Sequence, residues 1–320
     1  MNLLNRQEAI GVAHSKLILV GEHVVVYDKP AIAIPFPLKI VAKLKETYGQ
    51  ITFSSNLYNG KLDTIPLPMK GLEECIQKSF ELCQKPLEGV HIEVTSDIPV
   101  GRGLGSSAAL ATALVRGIYN YFHKSLSLEE LYQLVGLAET HAHGKPSGID
   151  MMSVASDLPI LYQRTIGASP LIVSKPFHVV VADTGKIGDT KKAVNHVKEI
   201  KLRRPQLVEA IIDEIEKIVM EAKEAILTGD AKGLGCLLTK NHEKLKELEV
   251  SDPLLDRLVE SAIRAGALGA KLTGGGKGGC IIALARDKEH AIHIARKLKQ
   301  DEAKMVWCFS NISEEIYFVD

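Results

Sequence analysis

The chain has 320 residues, enough for two modest domains that each bury a core. Hydrophobic residues make up 46% and charged residues 24%, and 39 Lys and Arg balance 39 Asp and Glu, so net charge gives no case for nucleic acid or an anionic membrane as partner. No apolar run approaches the ~20 residues of a membrane helix, the polar stretch from Met1 to Ile10 lacks a signal-peptide core, and five dispersed cysteines without a Cys-x-x-Cys pair read as free thiols of a reducing cytosol.

Branched residues predict strands over Lys16–Val20, Val24–Tyr27, Ala31–Ile34 and Leu38–Lys45, with Asp28-Lys29-Pro30 as a turn. Ile51-Thr52-Phe53 predicts a short strand before a polar loop through Asn59-Gly60. A helix over Gly71–Leu82 and an alternating strand over His91–Thr95 follow. Pro99-Val100-Gly101-Arg102-Gly103-Leu104-Gly105-Ser106-Ser107-Ala108-Ala109 then opens an apolar helix from Ala108 to Phe122. Its three glycines let the backbone turn tightly and approach a ligand closely. A helix start offers unpaired N–H groups and partial positive charge, which together cradle phosphate. Ser106 and Ser107 add hydroxyls for phosphate or magnesium. Ser127-Leu128-Glu129-Glu130 is a capping box, and its helix carries Leu128, Leu131, Val135 and Ala138 before stopping at His143-Gly144-Lys145-Pro146.

In the second half, strands are expected at Ile160–Tyr162, Leu171–Val173 and His178–Ala182, and helices at Thr190–Leu202, Gln206–Leu227, Lys232–Leu248 and Pro253–Ala265. A strand, a glycine loop, a strand around Ala283, a helix over Glu289–Leu298 and strands at Met305–Phe309 and Glu315–Val319 complete the chain. No repeat or low-complexity linker marks a boundary, which falls softly near 163–176 and divides the chain into 1–168 and 169–320. The mixed, partly antiparallel pattern argues α+β. Gly274-Gly275-Gly276-Lys277-Gly278-Gly279 fits Gly-x-Gly-x-x-Gly, but a dinucleotide fingerprint needs a helix after its glycines and Cys280–Ala285 reads as a strand. No segment fits a Walker loop. The loop at 274–279, with Gly275 and Gly276 as substrate-binding candidates, is expected to pack against the nucleotide loop or the substrate, while Lys277 either reaches phosphate or stands in solvent.

Three segments in order carry a family resemblance: Lys16-Leu17-Ile18-Leu19-Val20-Gly21-Glu22-His23-Val24-Val25-Val26-Tyr27, the glycine loop at 99–109, and Lys271-Leu272-Thr273-Gly274-Gly275-Gly276-Lys277-Gly278-Gly279-Cys280. They resemble the motifs of the GHMP kinases over nearly the whole chain. Within that superfamily the Gly21–Tyr27 form resembles the mevalonate kinase branch; the Thr-Asp-Tyr continuation usual in galactokinases is absent. The resemblance implies an α+β fold of two domains, an N-terminal mixed α/β domain and a ferredoxin-like C-terminal domain, with the active site between them. It implies a kinase dependent on ATP and Mg2+ that phosphorylates the primary hydroxyl of mevalonate, a small-molecule partner. Pro99, Gly101, Gly103, Leu104, Gly105, Ser106, Ser107 and Ala108 would then bind ATP.

Glu139 and Asp150 flank a Gly-Lys-Pro-Ser-Gly turn, and acids so placed either face one cavity or stand in solvent. The segment from Glu139 to Asp150 matches the mevalonate kinase spacing, which implies Ser107 and Glu139 as magnesium ligands and Asp150 as the catalytic acid group. A lysine entering an apolar strand is costly to bury unless paired; the resemblance sets Lys16 beside that aspartate, although His14-Ser15 stands where many relatives carry Pro-Gly. It also implies that Glu22 and His23 line the substrate pocket. Thr190 is a candidate both for a helix N-cap and for a place on the substrate side. The adenine pocket has no signature; Ser54 to Tyr58 is chosen on position alone. Rival readings are a phosphomevalonate or sugar kinase, or a metabolite sensor on the same fold. A sensor would have lost a catalytic residue, yet Lys16, Ser107, Glu139 and Asp150 are all present. A cytoplasmic protein is expected, and a homodimer is compatible with these features.

Overall fold

The structure is a computed structural model that describes residues 7–144, 146–311 and 315–317, without the side chains of residues 142 and 143. In chain order it contains β1 (Glu8–Val20), a 3-10 turn (Val24–Tyr27), β2 (Ala31–Gln50), β3 (Thr52–Ser54), β4 (Asn59–Lys61), α1 (Lys70–Leu82), β5 (Glu88–Ser96), α2 (Ser106–Tyr121), α3 (Leu128–His143) and α4 (Ile149–Val154). There follow β6 (Ile160–Gln163), β7 (Gly167–Pro170), β8 (His178–Asp183), α5 (Thr190–Arg203), α6 (Pro205–Thr228), α7 (Ala231–Glu247), α8 (Pro253–Arg264), β9 (Gly269–Thr273), β10 (Cys280–Ala285), α9 (Lys288–Gln300), β11 (Met305–Ser310) and β12 (Ile316–Tyr317). None of the helices is long and apolar enough to cross a membrane, among the described residues.

Several local expectations are corrected. Val24–Tyr27 is a 3-10 turn, not a strand: left-handed backbone at His23 (φ 65°) and Asp28 (φ 61°) bounds it. Its branched residues signalled burial, not extension. Ala31–Ile34 and Leu38–Lys45 merge into β2, because Pro35 and Pro37 fall between its β6 partners, which end at Ala33, and its β5 partners, which begin at Ile40. Proline is tolerated where a ladder bond is not required of it. The strand expected at Leu171–Val173 lies earlier, at Gly167–Pro170, and Asn59–Lys61 pairs with β3 instead of looping. The expected cap at Thr190 is Asp189, whose carboxylate accepts from the Lys192 N–H at 2.9 Å. Asp150 sits in the first turn of α4, a helix of 6 residues that begins after left-handed Gly148 and is too short to show a period. Lys145 and Val319 lie outside the described residues.

The chain folds as two compact units that alternate along the sequence. One takes the segment up to Ser15, Leu38–Pro99 and Gly105–Ala155; the other takes Lys16–Pro37, Val100–Leu104 and the chain from Ser156 on. In the first unit, β3 runs parallel to β5 and antiparallel to β4, and β5 is antiparallel to the second half of β2. Alternating residues Ala42, Leu44, Val90, Ile92 and Val94 are buried on one face; Gly117 of α2 lies against Leu44 and Ala42, and α1, α2 and α3 pack on one another. Small residues set the closest approach: a Cβ on Gly11 would lie 2.0 Å from the Ala113 carbonyl oxygen, so β1 rests directly on α2.

In the second unit an antiparallel sheet runs in the order β12-β11-β8-β10-β9. Every residue of β9 and β10 is buried. Accordingly β10 reads Cys-Ile-Ile-Ala-Leu-Ala rather than alternating, as a strand covered on both faces does. Helices α7 and α8 pack on β9, and α9 packs on β8 and β11. Phe36 seats on Trp307 and Phe309, with ring centroids 5.9 and 5.1 Å away.

Candidate active site

The second unit gathers Lys16, Glu22 and His23 with two glycine loops. β1 delivers Lys16, whose side chain is buried and whose Nζ donates to the Gly103 carbonyl at 3.2 Å; its backbone N–H donates to the Leu104 carbonyl, also at 3.2 Å. Gly103 in turn lies against the loop after β9: a Cβ on Gly274 (φ +81°) would fall 2.9 Å from the Gly103 Cα. The predicted contact between the two glycine loops is therefore made backbone to backbone. Arg102 fastens the same segment, donating from Nε to Asp183 Oδ2 at 2.9 Å and from Nη2 to the Gly185 carbonyl at 3.0 Å. Thr190 is exposed, and a Cβ on Gly275 would lie 2.7 Å from its Oγ1. Lys277 is half-buried and gives its backbone N–H to the Val250 carbonyl.

His23 stands in left-handed backbone, a conformation that costs about 1–3 kcal/mol and persists only where surroundings enforce it. Its Nε2 donates to the Gly275 carbonyl at 3.0 Å, which leaves Nδ1 as an acceptor. Burial pushes its pKa down to about 4, so the ring is neutral at physiological pH. Glu22 is buried and accepts from the Nζ of Lys271, which is itself fully buried on β9 and also donates to the Leu272 carbonyl at 2.6 Å. Thr273 Oγ1 takes the Ile18 N–H at 3.2 Å and donates to the Ile18 carbonyl at 3.0 Å, tying β9 to the end of β1. Asn241 on α7 accepts the Gly21 N–H at 3.3 Å. Its neighbour His242 accepts the Leu272 N–H at 3.4 Å and meets Asp256 at 3.2 Å.

The first unit holds the remaining candidates. Gly105, left-handed at φ 75°, precedes α2, and no side chain caps the helix. Ser106 and Ser107 therefore begin α2, two residues before the expected start, with their hydroxyls half-buried at its positive end. Glu139 is buried on α3 and Asp150 is half-buried on α4. Helices α2, α3 and α4 pack pairwise, so the elements bearing Ser107, Glu139 and Asp150 adjoin one another. Ser54 and Tyr58 lie in the β3–β4 hairpin, where Tyr58 stacks on Phe53 at 6.5 Å. Pro99 ends a segment of this unit, and Ala108 is buried in α2.

Sequence reasoning missed Lys271, Asn241 and Arg102. For Lys271 the signal was available: like Lys16, it sits in an apolar strand and needs a partner there. Asn241 looked like any polar residue of a helix, and only packing reveals what it binds.

The GHMP kinases N terminal domain matches residues 70–157 and the GHMP kinases C terminal domain matches 222–304. The mevalonate kinase of Thermococcus sibiricus is 36% identical over 308 residues, spanning 89% of this chain and 92% of its own. That of Pyrococcus horikoshii is 37% identical over 311 residues, spanning 89% and 91%. The crystal structure of L. major mevalonate kinase in complex with R-mevalonate superposes with a TM-score of 0.83 at 27% identity, over 97% of this chain and 98% of that one. At this identity and coverage the chain belongs to the mevalonate kinases, a branch of the GHMP kinase family of ATP-dependent phosphotransferases.

Proposed function

We propose that the protein transfers the terminal phosphoryl group of ATP to the primary hydroxyl of mevalonate, giving 5-phosphomevalonate. The observation that carries this reading is the kinship to mevalonate kinases over about nine-tenths of the chain, with Lys16, Ser107, Glu139 and Asp150 all present. The segment from Pro99 to Ala108 binds the ATP phosphates through backbone N–H groups and the two serine hydroxyls. Glu22, His23, Thr190, Gly275 and Gly276 face the hydroxy acid, with His23 Nδ1 accepting from a substrate hydroxyl. Ser107 and Glu139 hold magnesium: a hydroxyl and a buried carboxylate are the hard oxygen donors that ion takes, and it needs few from protein. When bound, the ion neutralises charge on the phosphates. Asp150 orients the attacking hydroxyl and receives its proton, and Lys16 supplies a cation near that hydroxyl. Because phosphoryl transfer passes through a loose transition state, this orientation matters more than the basicity of the acid. Cytoplasmic location, a division into domains 1–168 and 169–320, and a homodimer belong to the same proposal.

A coupled ADP-release assay across mevalonate, phosphomevalonate, homoserine and galactose tests the reading. Mevalonate is expected to lead in kcat/KM by at least about tenfold, roughly 1.4 kcal/mol of transition-state discrimination. Equal turnover of galactose or phosphomevalonate would replace mevalonate as the substrate and leave the kinase class standing.

A further inference from the structure

Glu22 and Lys271 are, with Lys16, the most heavily buried charges of the second unit, at 1% and 0% exposure, and the proposed chemistry gives Lys271 no task. A buried ion pair is weak evidence for stability, since an apolar pair of similar volume often serves as well. Its geometry here is specific. Lys271 Nζ donates to Glu22 Oε1 and to the carbonyl of Leu272. Glu22 Oε2 is buried and has no hydrogen-bond partner among the described residues. The backbone leading into Glu22 is pinned separately, by Asn241 on the Gly21 N–H. Beyond Glu22 the chain enters the strained turn at His23, whose ring is held on Gly275. One oxygen of the carboxylate is thus anchored, and the other is a buried acceptor lacking a donor among the described residues. A hydroxyl is the group that every candidate acceptor of this kinase carries.

We propose that Lys271 is a positioning residue: it keeps Glu22 a carboxylate and aims that carboxylate's second oxygen at a hydroxyl of the hydroxy-acid substrate. This rests on the function proposed above. Burial holds Glu22 above the ordinary carboxylate range, against the attraction of Lys271 and a smaller share from Lys16. Burial likewise pushes Lys271 down while Glu22 opposes. The other titratable groups nearby are His23, beside Glu22 on the chain, and His242 of α7 with Asp256 of α8; both histidines feel the Lys271 charge. Removing the Lys271 cation leaves burial nearly unopposed, and Glu22 takes up a proton.

The test compares Lys271→Met, Glu22→Gln and the double variant with the wild type, using intact protein throughout. At neutral pH the infrared spectrum of Lys271→Met is expected to gain a protonated-carboxyl band that is absent from the wild type and from the double variant. Its KM for mevalonate should rise roughly tenfold or more, the scale of a lost charged hydrogen bond, with KM for ATP unchanged. Relative to wild type, its kcat/KM for mevalonate should climb as pH rises and Glu22 loses the proton; the double variant should show no such climb. The double variant carries no buried unpaired charge, so it folds even if Lys271→Met does not. Its KM should then equal that of Glu22→Gln. No new infrared band together with an unchanged KM, or a double-variant loss equal to the product of the single losses, overturns the proposal. A wild type inactive on mevalonate refutes the proposed function instead, and the infrared result still decides whether Lys271 sets the charge of Glu22.

Discussion

Two groups of the proposed mechanism are held by backbone carbonyls. His23 is locked by the Gly275 carbonyl into the tautomer with Nδ1 open, and Lys16 is tethered to the carbonyl of Gly103 in the nucleotide loop. Asp150 occupies the first turn of a short helix that starts at a left-handed glycine. Asp150→Asn removes the charge at nearly constant shape. It is expected to lower kcat by ~10²–10⁴ and to leave ATP affinity almost unchanged in equilibrium dialysis. Lys16→Met should lower kcat as well, and the double variant should be little worse than the worse single one, because residues acting as a unit are not additive. Glu139→Gln and Ser107→Ala should instead raise the magnesium concentration needed for half-maximal rate. Wild-type magnesium dependence in both folded variants would place the ion elsewhere.

Helix α3 shows at the element scale how structure and chemistry are kept apart. Its capping box is complete: Ser127 Oγ accepts the Glu130 N–H at 3.2 Å, and the Glu130 carboxylate accepts the Ser127 N–H at 3.0 Å. Glu139 rides the same helix about 18 Å farther along at 1.5 Å per residue. Ser127→Ala removes half the box and should cost about 1 kcal/mol of stability, seen as a lower urea midpoint. The kcat and the magnesium requirement should stay at wild-type values. A change in either would mean that the helix shifts as a body when its cap is lost. The loop between β9 and β10 is the opposite case, an element whose backbone is itself the contact surface. There the approach of Gly274 to Gly103 leaves no room for a side chain.

For the molecule as a whole, the buried histidines predict how stability follows pH. His23 and His242 are each pushed by burial from an ordinary value of 6.5 to about 4. The unfolded chain therefore binds protons that the folded chain refuses between those values. Stability is full above pH 6.5 and falls as pH drops toward 4, by up to about 3 kcal/mol for each ring. Urea unfolding at about pH 7 and about pH 5 should show the loss, and His242→Gln should shallow the dependence by the share of one ring. An unchanged slope in that variant would show that His242 already carries its proton in the folded state.

The sequence alone was sufficient for what depends on neighbours along the chain. Turn glycines, a serine at a helix start, the capping box and the long amphipathic helices follow from local backbone chemistry, so the nucleotide loop and its helix could be read directly. The strand after Gly279 could be read too, which excluded a dinucleotide site. Tertiary structure decided what depends on distant partners. Val24–Tyr27 is apolar and branched, yet it turns because His23 and Asp28 take left-handed backbone. Lys271 pairs with Glu22 across 249 positions of chain, and Asn241 finds Gly21 across 220. Burial is the physical reason for the difference. A charge or amide shut away from water must be satisfied by whatever the fold brings beside it, and that neighbour is chosen by packing, not by spacing in the sequence.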